Sequence, residues 1–521
     1  MIPRAQRRTD ILIMLCLAGA ALTIRALLWN GIDDHPWWLA PLLDARLYHR
    51  LGEAVASGGI GALGELPVGP LYPLFVGALY VLLPSDPWTV RIVQGLLGAL
   101  LPPALFLIGT RVGGRAAGIA AGLLALLCGP LVAQETDLTP ALLSVLAVTL
   151  LLLLCLPGIA GRGPAFARGA AFALVVSFRP NLLLLLPLPL LLTWRRERQA
   201  APLLLLLAGF ALVVLPQTWL IARGGGSGLT APHGGVNLYV GNHPGATGVW
   251  RAPWPWHGDV ADFNLAAPKA EAERRTGRTI SSSEVSGFWE KEALRFWREH
   301  PGEALALTAR KARLLVSDVE VPLNLPYPLL KGEIPVLGLL PVSWGLLLPL
   351  ALLGFALRPK GAAAEPLLAL LLVGGLATIL PFFVADRYRL CLYPPAILLA
   401  GLGAARLLAR PFPRHALLPL VAAVGLAVVA FLPSGIDLAG ETLSYRFNIG
   451  VNLLRAGRLD EADAAFLPLT AGPMAAAALT NRGAIALRRG DRAAAELFWR
   501  RALAIDPHDP VAADLLAGGK R

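Results

Sequence analysis

Apolar stretches recur along most of the chain, near residues 11–28, 71–83, 88–110, 116–132, 138–156, 166–178, 181–193, 201–221, 334–357, 366–384, 389–405 and 416–432. Crossing a bilayer core takes about 20 apolar residues of helix. In lipid, every backbone polar group must also be satisfied within the protein. The pattern therefore predicts an all-α, polytopic membrane protein. Of 521 residues, 56% are hydrophobic and 15% charged, which excludes a water-soluble globule. The net charge of +12 does not imply nucleic acid, because the basic residues sit in short clusters between apolar runs and so mark cytoplasmic loops. Cys16, Cys128, Cys155 and Cys391 all fall in apolar segments and read as buried thiols rather than a disulfide framework. The histidines show no metal-ligand spacing. The N-terminal MIPRAQRRTDILIMLCLAGAALTI reads as an uncleaved first span, its apolar run being longer than a signal-peptide core.

Charge arbitrates the topology. Arg4, Arg7 and Arg8 place the N-terminus inside. If the short run 71–83 stays on the outer side, Arg111/Arg115, Arg162/Arg168, Arg195/Arg196/Arg198, Arg358/Lys360 and Arg406/Arg410/Arg414 all fall on the cytoplasmic side. If it crosses, all of them land outside. The first arrangement gives about eleven transmembrane helices over residues 1–432, with Arg179-Pro180 dividing one helical excursion near the outer leaflet. The outer loops are then 29–87, 133–137 and 222–333, carrying juxtamembrane helices such as 71–83.

Beyond the last span the chain changes character. FNIGVNLLRAGRLDEADAAF returns as TNRGAIALRRGDRAAAELFW, pairing Gly450 with Gly483, Gly457 with Gly490, Ala462 with Ala495 and Phe466 with Trp499. The offset is close to the tetratricopeptide period, and IDPHDP supplies a closing proline. Residues 441–521 are therefore predicted to form a small α-helical repeat module on the outer side. Two repeats are fewer than the roughly three that bury a solenoid core. The module is expected to lean on the membrane domain or on another protein, recruiting an acceptor or partner without taking part in the chemistry.

The outward-facing acids carry the chemical information. In PLLDARLYHRLGEAVAS, Asp44 stands in line with Tyr48, Leu51 and Val55 on the apolar stripe of a helix, where a carboxylate is out of place. Glu135 and Asp137 lie in the second outer loop, GPLVAQETDLTP. Acids from two loops at one membrane face can form a general base and its support. The competing structural reading makes Asp44 a helix N-cap and the other two a solvated turn. Asn237 and Asn242, in GGVNLYVGNHPG, form a loop lip over such a site or simply serve as turn residues. Trp250, Trp254 and Trp256 read as an interfacial aromatic belt.

The ordered stretches DARLYHRLGEAVA, GPLYPLFVGALY, RIVQGLLGAL, GPLVAQETDL, FRPNLLLLLP, GGVNLYVGNHPGATG, HPGEALALTARKARLL and ADRYRLCLYPP cover nearly all of residues 1–432. Together they resemble the GT-C superfamily of membrane glycosyltransferases. The resemblance is to the branch of the protein O-mannosyltransferases and lipid A aminoarabinose transferases (glycosyltransferase family 39-like). It implies a bacterial inner-membrane enzyme that moves a sugar from a polyprenyl-phosphate donor to a protein or envelope-glycan acceptor at the outer, periplasmic face. By position Asp44 is the implied catalytic base, with Glu135 or Asp137 as the second-loop acid and Tyr48 among the substrate-facing residues. A donor phosphate calls for interfacial cations, and Arg387 and Arg389 in ADRYRL answer best, ahead of Arg179 and Arg91. Asp44 is followed by Ala45 rather than a second acid, which leaves a divalent-metal site open and undecided; no other cofactor is implied. The expected partners are polyprenyl-phosphate sugar, the acceptor, membrane lipids and a protein bound through the repeats, with no nucleic acid. Readings from other classes are a transporter, suggested by the broken helices at 166–193, and an envelope-assembly scaffold.

Overall fold

The computed structural model describes residues 4–251, 253–254, 260–358, 364–409 and 416–518; Trp256, Lys360, Arg410 and Arg414 lie outside the described residues. Among the described residues the regular elements are all helices, with two isolated bridges, Cys128 to Val342 and Val249 to Val384. Among the described residues four helical stretches are long and apolar enough to cross a membrane, Gln6–Ile32, Pro87–Leu126, Ala200–Arg223 and Asp386–Leu408, the second and fourth of them built from more than one element. Shorter apolar helices accompany them, and the whole is an all-helical polytopic membrane protein. Cys128, Cys155 and Cys391 are buried as free thiols, whereas Cys16 is exposed on the outward face of the first helix.

Helix α1 (Arg4–Ile32) is followed by a hairpin of α2 (Leu43–Gly58) and α3 (Leu71–Leu82). Gly52 and Gly77 let these two approach closely, since a Cβ at either would come within 2.4 Å of a valine on the other. The run at 71–83 therefore packs along the Asp44 helix. Next, α4 (Pro87–Gly98) leads into α5 (Leu101–Leu126). Gly114 breaks α5 at φ +84°, a conformation that suits glycine alone, and the chain doubles back so that a Cβ on Gly118 would sit 2.6 Å from the Phe106 carbonyl. Arg115, beside this turn, donates to Asp10 at 2.8 Å and to the Gln6 carbonyl. The turn and the start of α1 thus share one end of the molecule. Toward the other end of α1, Arg25 pairs with Glu135, which follows α6 (Gly129–Gln134).

Helices α7 (Ala141–Leu154), α8 (Arg162–Phe178), α9 (Pro187–Glu197) and α10 (Ala200–Arg223) come next. Arg179-Pro180 ends α8, because proline disfavours helix at the residue before it, and a 3-10 turn at Pro180–Leu185 opens the next excursion. Arg168 donates to Thr193 at 2.7 Å and Arg196 to the Cys155 carbonyl at 2.6 Å, so α8 begins where α9 ends.

The segment expected as a long outer loop carries α11 (Gly234–Val240), α12 (Val260–Thr276), α13 (Ser282–Glu299) and α14 (Pro301–Val316). A capping box of Ser281 and Glu284 starts α13. Trp254 is buried here, near-parallel to Tyr239 at 6.1 Å and 4.7 Å from Trp289, so it belongs to a local core rather than to an aromatic belt. Short α15 (Tyr327–Glu333) and α16 (Pro335–Gly338) return the chain to α17 (Trp344–Ala356), α18 (Ala364–Ile379), α19 (Asp386–Arg389), α20 (Tyr393–Leu408) and α21 (Leu417–Phe431).

The C-terminal unit is two helix pairs, α22 (Leu438–Arg455) with α23 (Leu459–Phe466) and α24 (Ala475–Arg488) with α25 (Arg492–Ile505), closed by α26 (Pro510–Leu516). The sequence repeat is a packing repeat. Gly450 faces the ring of Phe466 and Gly483 faces that of Trp499, each too close for a Cβ, while Gly457 and Gly490 turn between helices at φ +77° and +84°. The unit packs on the segment ahead of α2. Buried Asn452 donates to the carbonyls of Pro36, Trp37 and Ala40 at 3.0–3.3 Å, and Arg458 pairs with Asp34 at 2.8 Å. Tyr445 packs on Trp37 with ring centroids 5.3 Å apart and donates its hydroxyl to Glu333.

Candidate active site at the Asp44–Arg387 pair

Asp44 sits in the first turn of α2, whose N-cap is Leu42, so its carboxylate is not the capping group. Leu43, immediately before it, has φ +50°, a left-handed conformation costly for a leucine. The carboxylate accepts from Arg387 Nη1 at 2.6 Å, with both side chains about 15% exposed at 15% and 14%. Arg387 follows an extended stretch that hydrogen-bonds to its neighbours at Val384 N to Gly248 O and Asp386 N to Val321 O. Its backbone N–H donates to Asp386 Oδ1, and Asp386 Oδ2 accepts from Gln134 at 2.8 Å.

Arg179, at the break after α8, donates to the Arg387 carbonyl at 2.5 Å and to the Phe178 carbonyl. Both guanidinium groups lie 5.6 Å from the Tyr388 ring centroid. Nε of Arg179 and Nε of Arg387 are buried without a hydrogen-bond partner in the protein. A cavity of about 230 Å³ opens here, lined among others by Asp44, Tyr48, Arg179, Asn237, Trp250 and Arg387. Burial, reinforced by Asp44, pushes the Tyr48 phenol up, which keeps it a neutral donor. His233 also lines the cavity; burial holds its imidazole down at about 4, so it is uncharged at neutral pH.

The turn after α6 lies near enough to the pair for Asp137 to feel both of its charges. Gln94 donates to the carbonyls of Glu135 and Asp137 at 2.9 Å and accepts from Tyr72, while Arg91 donates to the carbonyls of Thr136 and Trp38 at 3.2 Å. The turn is therefore buried and braced rather than solvated. Asp137 Oδ2 has no partner, and burial pushes its carboxyl up to about 6, with Arg387 opposing and Asp44 reinforcing the shift. Glu135 instead points to α1, where Arg25 holds it at 2.5 Å; burial still pushes it up to about 7.

Of the residues expected from sequence, Asp44, Tyr48, Arg179, Asn237 and Arg387 share the cavity, and Asp137 stands close enough to feel both Arg387 and Asp44. Four others lie outside it. Arg389 is fully buried against Glu320 at 2.9 Å and donates to the Ser317 and Val319 carbonyls, where it fixes the end of α14. Asn242 accepts from Trp297 and Lys311 and donates to the Pro381 carbonyl, so it joins segments and faces no cavity. Glu135 is occupied by Arg25. Arg91 is spent on carbonyls. Gln94, Asp386 and His233 went unnoticed, and only the motif ADRYRL offered a signal, its aspartate standing next to Arg387. Among the described residues no three His, Cys, Asp or Glu side chains converge as metal ligands.

No protein-family model and no curated protein matches the chain. Among solved structures it is similar to ArnT from Cupriavidus metallidurans bound to undecaprenyl phosphate, at 15% identity and a TM-score of 0.42, covering 97% of this chain and 77% of that one. That likeness is too distant to carry residue roles.

Proposed function

We propose that the chain is a membrane glycosyltransferase of the GT-C kind, moving a sugar from a polyprenyl-phosphate donor to an acceptor at the outer face of a bacterial cytoplasmic membrane. The observation that carries this reading is the Asp44–Arg387 pair at the cavity wall, with two unpartnered guanidinium nitrogens beside it. A carboxylate there can take a proton, and the guanidinium groups can hold a phosphate with directed hydrogen bonds. In the resting pair Arg387 occupies Asp44. An arriving donor phosphate competes for that guanidinium and frees the carboxylate. Asp44 then takes the proton of the acceptor nucleophile as that atom attacks the sugar C1. The bond from C1 to the phosphate oxygen breaks, and polyprenyl phosphate leaves with the electron pair. Tyr48 and Asn237 line the path, and Asp137 supports the charge balance behind Arg387.

About eleven spans, with the site and the tetratricopeptide-type unit on the outer side, follow from the same reading. The free face of that unit is available for an acceptor or a protein partner. Purified protein supplied with labelled polyprenyl-phosphate sugar and envelope extract should release lipid phosphate and label an acceptor. A transporter or a scaffold releases none, and that outcome ends this reading.

A further inference from the structure

The segment that leads into α2 is gripped from two sides. On one side the fully buried amide of Asn452, on α22, donates to three carbonyls of residues 36–40. Arg458 holds Asp34, Tyr445 covers Trp37, and Leu39 packs against the core of the C-terminal unit. On the other side Arg91 donates to the Trp38 carbonyl while also holding Thr136, next to Asp137. Three residues beyond the gripped stretch comes Leu43, at φ +50°, and then Asp44. A non-glycine residue keeps such a conformation only where its surroundings over-determine it. Within residues 33–41 backbone pairing is sparse, with His35 N to the Ile32 carbonyl and Trp38 N to the His35 carbonyl, before Arg46 N to the Leu42 carbonyl opens α2, so much of the restraint on this stretch comes from the flanking side chains.

We infer that the C-terminal helical unit is a clamp that positions the Asp44 carboxylate, with Asn452 as the positioning residue and Leu43 as the strained link it holds. The inference rests on the proposed transferase reading only for its kinetic arm. It assigns the unit a part in setting the catalytic geometry, in addition to any partner on its free face. Asn452 touches no cavity and no reacting group; it acts through the loop and through Leu43. Asn452→Asp keeps the shape and removes the N–H donors, turning a clamp into a repulsion of three carbonyls. Asn452→Ala removes the clamp without adding charge. Released, Leu43 relaxes to an ordinary φ and Asp44 swings away from Arg387. A displacement of about 1 Å at a reacting group costs on the order of a hundredfold in rate.

The test uses the full-length protein in nanodiscs. Backbone amide exchange over residues 36–47 should quicken at least about tenfold in Asn452→Ala and Asn452→Asp, as expected for a segment released to local opening. Exchange in α7 and α20 should stay as in the wild type. In the transfer assay kcat should fall about tenfold to a hundredfold with the donor KM no higher than in the wild type, since the phosphate-holding guanidinium groups stay in place and Arg387 loses a competitor. Leu43→Gly, which accepts a positive φ without strain, should restore part of that kcat in the Asn452→Ala background. Unchanged exchange over 36–47 in a folded Asn452→Ala protein overturns the clamp, whatever the activity. Faster exchange with full kcat, or a kcat loss that Leu43→Gly leaves untouched, overturns the positioning role. If the wild type transfers no sugar, the transferase reading fails, and the exchange arm still decides the clamp.

Discussion

Arg387 and Asp44 lie 343 positions apart in sequence and meet at 2.6 Å at the wall of one cavity, each about equally shielded from water. Neither has another ion-pair partner at that distance among the described residues. In the proposed mechanism the pair acts as a switch between two occupants of Arg387: the carboxylate at rest and the donor phosphate when it arrives.

Asp44→Asn keeps the volume and removes the base. Transfer is expected to fall about a hundred- to ten-thousandfold while the melting temperature stays near that of the wild type. Initial rates of lipid phosphate release measure this; retention of more than a third of wild-type activity removes Asp44 from the mechanism.

Arg387 and Arg389 look alike in sequence, and the structure separates them. Arg387→Ala should weaken donor use with little loss of stability, and Arg387→Lys should rescue only in part, because an ammonium offers a point charge rather than a fork. Arg389→Ala strands the buried Glu320 carboxylate and should cost about 3–5 kcal/mol of stability. Thermal melts run beside donor-binding curves distinguish the two; equal melting losses would contradict the assignment.

The second-loop acids should also part company. Glu135→Gln leaves Arg25 buried and uncompensated, a loss of about 3–5 kcal/mol. For Asp137 the sign is opposite. Its carboxyl is raised from 3.8 to about 6, so its contribution to stability is whole below pH 3.8 and is lost as the pH rises through about 6. Asp137→Asn should therefore melt higher than the wild type at pH 7.5, by up to about 3 kcal/mol, and converge with it near pH 4. Melting curves across pH 4–8 check this.

The contact of Arg115 with Asp10 puts the turn in α5 and the start of α1 at one end of the molecule, and the proposed reading places that end inside. A reporter that works only outside the cytoplasm should be silent when fused after Arg115 or Arg198, and active near Gly277 or after Arg521. Activity at Arg115 would reverse the orientation and put the Asp44 cavity on the cytoplasmic side.

The helical class was legible because apolar runs without charge have few other fates, and the break at Arg179-Pro180 and the turn beside Arg115 were visible as a proline and as a basic pair between two apolar runs. Asp44 stood out because a carboxylate on an apolar stripe needs a reason. Arg389 could not be told from Arg387 because an arginine that ties down carbonyls and one that faces a cavity have the same neighbours in sequence. Gln94 was invisible for a related cause, since an amide that braces a distant turn leaves no local pattern. The seat of α22 on residues 36–40 was equally hidden, as a pairing across more than 400 positions has no periodicity.

That last pairing bears on biosynthesis. The carbonyls of Pro36 and Ala40 emerge from the ribosome 416 and 412 residues before the amide that receives them. At about 5–20 residues per second, the interval is roughly 20–80 seconds. Throughout it the loop ahead of Asp44 is unlatched, although α1 and α2 have already been made. On the clamp reading, a nascent chain can therefore insert its early helices and still hold Asp44 unset, so that a segment made late fixes the geometry of one made early.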